Sequence, residues 1–500
     1  MKPIRFHLRI EHLWGLAALV GIFVFVSTHP IRPQDFWWHI AIGREIVAEG
    51  KIPASDIYSY TATGQAYPSY QMFWLMETVL YELYHLGGAA LVVFAHTVWI
   101  TLAYVILFWL CKQASQSWRM AALCVLLAAA LGLNDWNVRP QGITFLLCSL
   151  FLLAIYQYRQ KPRWYWLIVF PSGMLIWVNS HGTFFIGLAF VALWFGQVIW
   201  ETLIQRRKDR SAGAVKPLVV PGAVLILTTL VCLINPRGIG IVDYLKTLTS
   251  NPAVQNLVVE WAAPTLHTYL GIVFFSSLLV YTILLILSPK RPSFFQIATL
   301  VMFSLLAIKT SRGIVWFGLV MAPIVAEYLP GVINRFHKTA SMSSDGEGSK
   351  TLNLVFVTVI LLLGVISLPW FKSYLPLPPA KAGLISSETP LKATQVLLEQ
   401  NPPGRLFNSM SFGSYLIWAA YPHYQVFVDT RIELFPENIW TDYLEISNAI
   451  GAWDTKLRTY GVNTLMLSPV EQAPLAQAVR ASGEWELLYQ DDAACVFGRK

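Results

Sequence analysis

Asp35-Phe36-Trp37-Trp38-His39 sets a carboxylate and an imidazole among aromatics, just past an apolar stretch long enough to span a bilayer. Asp35 and His39 share a face if Phe36 to Ala48 is a helix, because residues four apart are neighbours there. On that helix Phe36, Ile40, Gly43 and Val47 line up as an apolar stripe, as in a helix lying in the membrane interface. Trp and Tyr favour that boundary. A carboxylate beside it can take a proton from an attacking hydroxyl.

Other loops on the same side carry matching chemistry. They hold Asn134-Asp135-Trp136 with Arg139-Pro140-Gln141, then Trp177-Val178-Asn179-Ser180-His181-Gly182. Asn235-Pro236-Arg237-Gly238 and Glu260-Trp261 follow, and a short loop carries Lys309 and Arg312. Guanidinium forks match phosphate oxygens bidentately. Arginines near a lone carboxylate therefore suit group transfer from a lipid phosphate, and surface aromatics suit sugar stacking. Plainer readings stand beside each. Arginines at span ends snorkel to head groups. Asn179 to Gly182 reads as a tight turn with a capping Asn, Asn235 to Gly238 as a turn, and Asp56 as the start of an Asx-type turn. Asp429-Thr430-Arg431 reads as a strand end. The functional reading rests on convergence, since the opposite side shows only charges that topology explains.

The elements that must position these residues are membrane helices. The chain has 500 residues, 55% hydrophobic and 13% charged, where soluble domains carry about a quarter charged. Its apolar blocks predict about 11 spans, near 11–28, 88–111, 118–133, 141–158, 164–178, 183–202, 216–234, 267–288, 293–309, 313–331 and 352–371. The first block follows Lys2, Arg5 and Arg9 with no small-residue cleavage site, so it reads as a retained helix. Met72 to Leu86 is short and carries Glu77, Glu82 and His85, and reads as a juxtamembrane helix.

With the N-terminus inside, basic clusters fall on inner loops: Lys112 and Arg119; Arg159, Lys161 and Arg163; Arg206 to Lys216; Lys290 and Arg291; Arg335 to Lys350. Outer loops keep isolated basic residues. Making Met72 to Leu86 a span would swap every later loop and break the positive-inside pattern. The net charge of +8 therefore reflects topology, and no nucleic-acid partner is expected. Cys111, Cys124, Cys148, Cys232 and Cys495 lack paired or metal-type spacing. Lys338 to Lys350 reads as a low-complexity linker on the inside.

After Trp370 the pattern changes. Leu375 to Pro379 is a Pro-rich hinge. Arg405–Asn408, Tyr424–Asp429, Val462–Ser468, Trp485–Gln490 and Ala494–Gly498 read as strands. Glu437–Ala449, Trp453–Tyr460 and Pro474–Ala481 read as helices. The expected architecture is an all-α polytopic membrane body over 1–372, with the first outer loop at 29–87, and a small α/β domain over 373–500 with a partly parallel sheet.

These motifs together resemble the polytopic GT-C-type glycosyltransferases of bacteria, relatives of the polyprenyl-phosphate mannosyl- and aminoarabinosyltransferases. The resemblance rests on Asp35-Phe-Trp-Trp-His39, Gly43-Arg44-Glu45-Ile46, Gly50-Lys-Ile-Pro53, Asp56, Tyr58-Ser59 and Gly87-Gly88. It continues through Arg139-Pro-Gln141, Trp177 to Gly182, Asn235 to Gly238, Glu260-Trp261, Arg312, Gly413-Ser-Tyr-Leu416 and Val428-Asp-Thr-Arg431. It implies a GT-C-like helical body with juxtamembrane helices and a periplasmic α/β domain in a bacterial inner membrane. It also implies transfer of a sugar from a polyprenyl-phosphate carrier to a glycan, lipid or protein acceptor, with membrane lipids around it. The acid after the first span, here Asp35, becomes the catalytic base. His39, Arg139, Asn179, His181, Arg237, Glu260 and Arg312 become substrate-binding candidates, and direct displacement with one base implies inversion. No cofactor is expected; Asp35 and His39 could supply two ligands to a divalent metal, but a site needs more.

The chain departs from the family where many relatives carry His-Glu before Trp-Leu; here it reads Tyr70-Gln71-Met72-Phe73-Trp74-Leu75. That departure keeps a second reading open, a non-catalytic protein that binds lipid-linked glycan. A third reading is a flippase. It needs ionisable residues at mid-span and repeated halves, and such residues are nearly absent.

Overall fold

In lipid every backbone polar group must be satisfied within the chain, so apolar runs become helices. The structure, a computed structural model, describes residues 9–208, 216–250, 259–336 and 349–500. In the body, α1 is Ile10–Ser27, α2 Phe36–Glu49, α3 Tyr70–Ser115, α4 Trp118–Gly132 and α5 Gly142–Gln160. Next come α6 Trp164–Val178, α7 Phe184–Lys208, α8 Lys216–Val231 and α9 Ile241–Ser250. Then α10 is Tyr269–Leu287, α11 Phe294–Lys309, α12 Gly313–Phe336 and α13 Lys350–Ile366.

Among the described residues, 7 of these helices are long and apolar enough to cross a membrane. The apolar helices α6, α8, α11 and α13 are shorter, at 10–17 residues. The chain is a multi-pass membrane protein. Most of the expected linker at 338–350 lies outside the described residues, which resume at Ser349.

Helix α12 is the hub, with 83% of its apolar window buried against 28% for α1. Its Gly318 lies so close to α4 that an added Cβ would stand 3.0 Å from the Leu131 Cβ. Helix α3 is broken at Gly87 (φ −149°, ψ 17°) and Gly88 (φ 61°, ψ −159°), and only glycine adopts the second conformation without strain. The break separates the Tyr70-to-Leu86 arm from the long apolar remainder. Gly43 of α2 packs on that arm, where a Cβ would meet the Glu77 carbonyl oxygen at 2.2 Å.

The C-terminal part is a four-stranded sheet of order β1-β2-β4-β3, with β1 Arg405–Asn408, β2 Val462–Leu467, β3 Trp485–Gln490 and β4 Cys495–Arg499. Strand β1 pairs parallel with β2, whereas β4 pairs antiparallel with β2 and β3. Helices α14 Leu391–Gln400, α15 Met410–Ala419, α16 Glu437–Ser447, α17 Trp453–Thr459 and α18 Ala473–Ser482 surround it. The sequence reading did not anticipate α14 or α15.

Tyr424–Asp429 is not a strand, contrary to the expectation from its apolar residues. Its backbone bonds elsewhere. Phe427 N donates to Asn408 Oδ1 and Asn408 Nδ2 donates to the Val428 carbonyl, both at 2.8 Å. Val426 makes an isolated bridge to Ser59 of the first loop. Asp429 to Arg431 is likewise no strand end. Arg431 and Asp429 are buried beside Asp56 of that loop, with side chains 0% exposed. The domain is thus pinned to the loop that carries Asp35.

Candidate active site

Asp35 precedes the first residue of α2, the place where an Asp ordinarily accepts a bond from the helix N–H groups. Here it makes no such cap. Its backbone sits at φ 23°, ψ −55°, a region that costs roughly 1–3 kcal/mol for a non-glycine residue and persists only where the surroundings over-determine it. They do so here. Phe36 and Trp37 are buried, Trp37 Nε1 donates to the Arg32 carbonyl at 3.1 Å, and Trp38 N donates to Ser414 Oγ of the C-terminal domain at 3.0 Å. The carboxylate turns instead to Arg139, whose Nη1 donates to Asp35 Oδ2 at 3.3 Å.

Arg139 lies between α4 and α5 and is buried. Its fork meets Glu260, with Nη2 to Oε1 at 3.0 Å and Nη1 to Oε2 at 3.3 Å. Glu260 also accepts from Arg312 Nε at 2.7 Å, and the Arg312 guanidinium lies 5.8 Å from the Trp261 ring centre. The result is a chain of alternating charge, Asp35–Arg139–Glu260–Arg312, drawn from separate loops. Burial raises the Glu260 carboxyl, but Arg139 and Arg312 outweigh it and hold it at about 2. Burial works against the Arg139 charge, and Glu260 and Asp35 more than restore it.

The network is incomplete in a useful way. Arg139 Nε is buried with no acceptor among the described residues. The Asp35 and Glu260 side chains stay 27% and 37% exposed, and Arg312 30%. A ligand anion can therefore reach the Arg312 guanidinium, and a hydroxyl can reach the Asp35 carboxylate.

No family model matches the chain, and no curated relative matches its sequence. Solved structures do match. That of ArnT from Cupriavidus metallidurans in the apo state shares 15% identity, covers 96% of each chain and has a TM-score of 0.51. ArnT from the same organism bound to undecaprenyl phosphate shares 14% identity, covers 97% of each chain and has a TM-score of 0.50. The chain has the GT-C-type fold of ArnT.

Within this ArnT-like fold, four of the residues singled out from sequence touch in one network: Asp35, Arg139, Glu260 and Arg312. His181 lies beside it. Burial, Arg312 and Arg139 push its imidazole down to about 3, so the ring is neutral. Its Nδ1 sits 3.0 Å from Thr183 Oγ1.

The other candidates make their hydrogen bonds outside this network. His39, one turn beyond Asp35 on α2, is buried and pairs through Nδ1 with Glu77 Oε1 of the α3 arm at 3.0 Å. Burial first, then His181 and Arg139, keep its ring well below the usual histidine range. Asn179 stitches three segments: it accepts from Trp74 Nε1 at 2.8 Å and donates to the Leu175 and Ile234 carbonyls at 2.9 and 2.8 Å. Arg237 closes its own turn, with N to Asn235 Oδ1 at 2.8 Å, and its Nη1 donates to Gln71 at 3.3 Å.

Two residues near the site were noted in the sequence without being counted among the site candidates. Asp135 is buried and close enough to act on Arg139 electrostatically. Glu77 is the buried partner of His39. Its charge at mid-arm was the available signal. Among the described residues no three His, Cys, Asp or Glu side chains converge as a metal site would require.

Proposed function

We propose that this chain is an inverting GT-C-type glycosyltransferase of a bacterial inner membrane, transferring a hexose-type sugar from a polyprenyl-phosphate carrier to an envelope acceptor. The N-terminus faces the cytoplasm and the C-terminal domain the periplasm. The observation that carries the reading is the half-open Asp35–Arg139–Glu260–Arg312 chain at the mouth of a membrane body. The fold likeness to ArnT, one structure of which is bound to undecaprenyl phosphate, supports a polyprenyl-phosphate donor.

The reaction is a single displacement. Asp35 accepts the proton of the acceptor hydroxyl as its oxygen attacks the anomeric carbon. The bond from that carbon to the phosphate oxygen breaks, and its electrons leave with the polyprenyl phosphate. Arg139 is both the partner that aims Asp35 and a cation that meets the developing phosphate charge. Arg312 and Arg237 add to that charge, while Glu260, Asn179, His181 and His39 fix the positions of the basic and aromatic groups that receive the sugar. The shortage of mid-span charge favours transfer over flipping.

The test uses purified protein in nanodiscs with a panel of polyprenyl-phosphate sugars and follows release of polyprenyl phosphate. Loss of a general base lowers rate about 100- to 10,000-fold, so Asp35→Asn releases almost none while the folded protein persists. An Asn variant with full activity would overturn the role of Asp35. Binding of donor without release, in the wild type, would support the non-catalytic reading instead.

A further inference from the structure

The chain after α1 and the chain after α13 are laced together. Ser27 Oγ donates to the Ser367 carbonyl at 2.6 Å. Ile31 N donates to the Leu384 carbonyl, and Ser386 N to the Ile31 carbonyl, each at 2.8 Å. This lacing gathers His29, Arg32, Lys372 and Lys381. The charges acting on His29 are Lys381, Arg32 and Lys372, all positive. Lys381 also acts on Lys372. None of these residues belongs to the Asp35–Arg139–Glu260–Arg312 chain.

Lys372 is the unusual member. It is 1% exposed, and its Nζ has no partner among the described residues. A buried ammonium without an acceptor is strongly unfavourable. Burial and Lys381 push it down to about 8, so it still carries its proton at neutral pH.

The surroundings are those of a membrane boundary. Apolar α13 ends just before, and Trp370, Phe371 and Tyr374 are 49%, 45% and 83% exposed, the pattern of an interfacial aromatic belt. Phe25 floors the cluster, with Lys381 Nζ 5.1 Å from its ring centre and the His29 ring at 4.8 Å.

We propose that His29, Arg32, Lys372 and Lys381 form a second anion site, which holds the phosphate of a lipid headgroup in the leaflet on the side of the C-terminal domain. This goes beyond the sugar-transfer reading and does not depend on it. Lys372 supplies the buried donor, Arg32 and Lys381 the outer charge, and the exposed aromatics the lipid contact.

The test measures phosphatidylglycerol retention by native mass spectrometry, and thermal stability, on the full chain in detergent. Short-chain phosphatidylglycerol, a neutral diacylglycerol and inorganic phosphate are added separately. Phosphatidylglycerol should stabilise the wild type and the diacylglycerol should not. Lys372→Met should melt higher than wild type without lipid, because it removes an unpaired buried charge. It should also retain phosphatidylglycerol roughly fivefold more weakly. Should Lys372→Met fail to fold, Lys381→Met is expected to show the same weakening. Retention unchanged in the folded variant overturns the site. Equal stabilisation by inorganic phosphate overturns its assignment to a lipid.

Discussion

Two buried arginines, Arg431 and Arg139, each bind two carboxylates, and they teach opposite lessons. Arg431 is 0% exposed at its side chain, as are Asp56 and Asp429. Each of its nitrogens has a partner: Nε meets Asp429 Oδ1 at 2.8 Å, Nη1 meets Asp56 Oδ1 at 2.6 Å as well as the Tyr70 hydroxyl, and Nη2 meets Ser59 Oγ at 3.0 Å and Asp429 Oδ2 at 2.6 Å. The tyrosine rings of Tyr58, Tyr67 and Tyr70 surround its guanidinium at 5.7–5.8 Å. Nothing is left for a ligand, and the cluster joins the first loop to the C-terminal domain. Arg139 has an unpartnered Nε and partners open to solvent. A saturated arginine fastens; an unsaturated one beside a strained carboxylate is available for chemistry.

The sharpest way to break this contrast is to remove each arginine in turn. Arg431→Met leaves Asp56 and Asp429 buried without their cation, which typically costs about 3–5 kcal/mol. The first loop and the C-terminal domain should come apart, seen as a large drop in melting temperature and as new protease cleavage near residues 375–390. A variant that melts like wild type would refute the clasp. Arg139→Met should do the reverse. Its carboxylate partners can hydrate, so the stability loss stays near 1 kcal/mol. Loss of a donor aimed at developing charge should lower turnover about 100- to 1,000-fold. Equal damage to both properties in both variants would erase the distinction.

How much of this was readable in advance divides along the same line. The spans were legible because lipid demands long apolar runs, and such runs are visible in a chain that is 55% hydrophobic. The site was legible as a set of loop residues but not as a pairing. Arg139 and Glu260 are 121 positions apart, and nothing local says that they meet. The Arg431 clasp was misread as a strand end, since Val426-Phe427-Val428 looks like a strand and its partner Asp56 lies 375 positions away. His39 was grouped with Asp35 on spacing alone. In the structure Asp35 stands at the helix start and His39 points into the packed side, to Glu77. Gly413 explains why α15 was missed. A glycine inside a segment weakens its helix signal, yet the role of this one is close approach, for a Cβ there would lie 2.5 Å from the Val428 carbonyl oxygen.

The smallest expected effect sharpens the contrast most finely, because it asks how far the open network also stabilises. Glu260 titrates at about 2 in the folded chain against an ordinary 4.5. A carboxyl depressed by folding adds stability that is fully present above its unfolded value. That contribution is lost as pH falls from about 4.5 through about 2. Glu260→Gln lacks it. The melting gap between wild type and this variant should therefore hold steady above about 4.5 and close towards 2. The side chain is 37% exposed, so solvent screening keeps the gap below about 1 kcal/mol, and added salt should narrow it further. A gap that ignores both pH and salt would mean that Glu260 acts by shape alone, and the electrostatic account of the open network would fail with it.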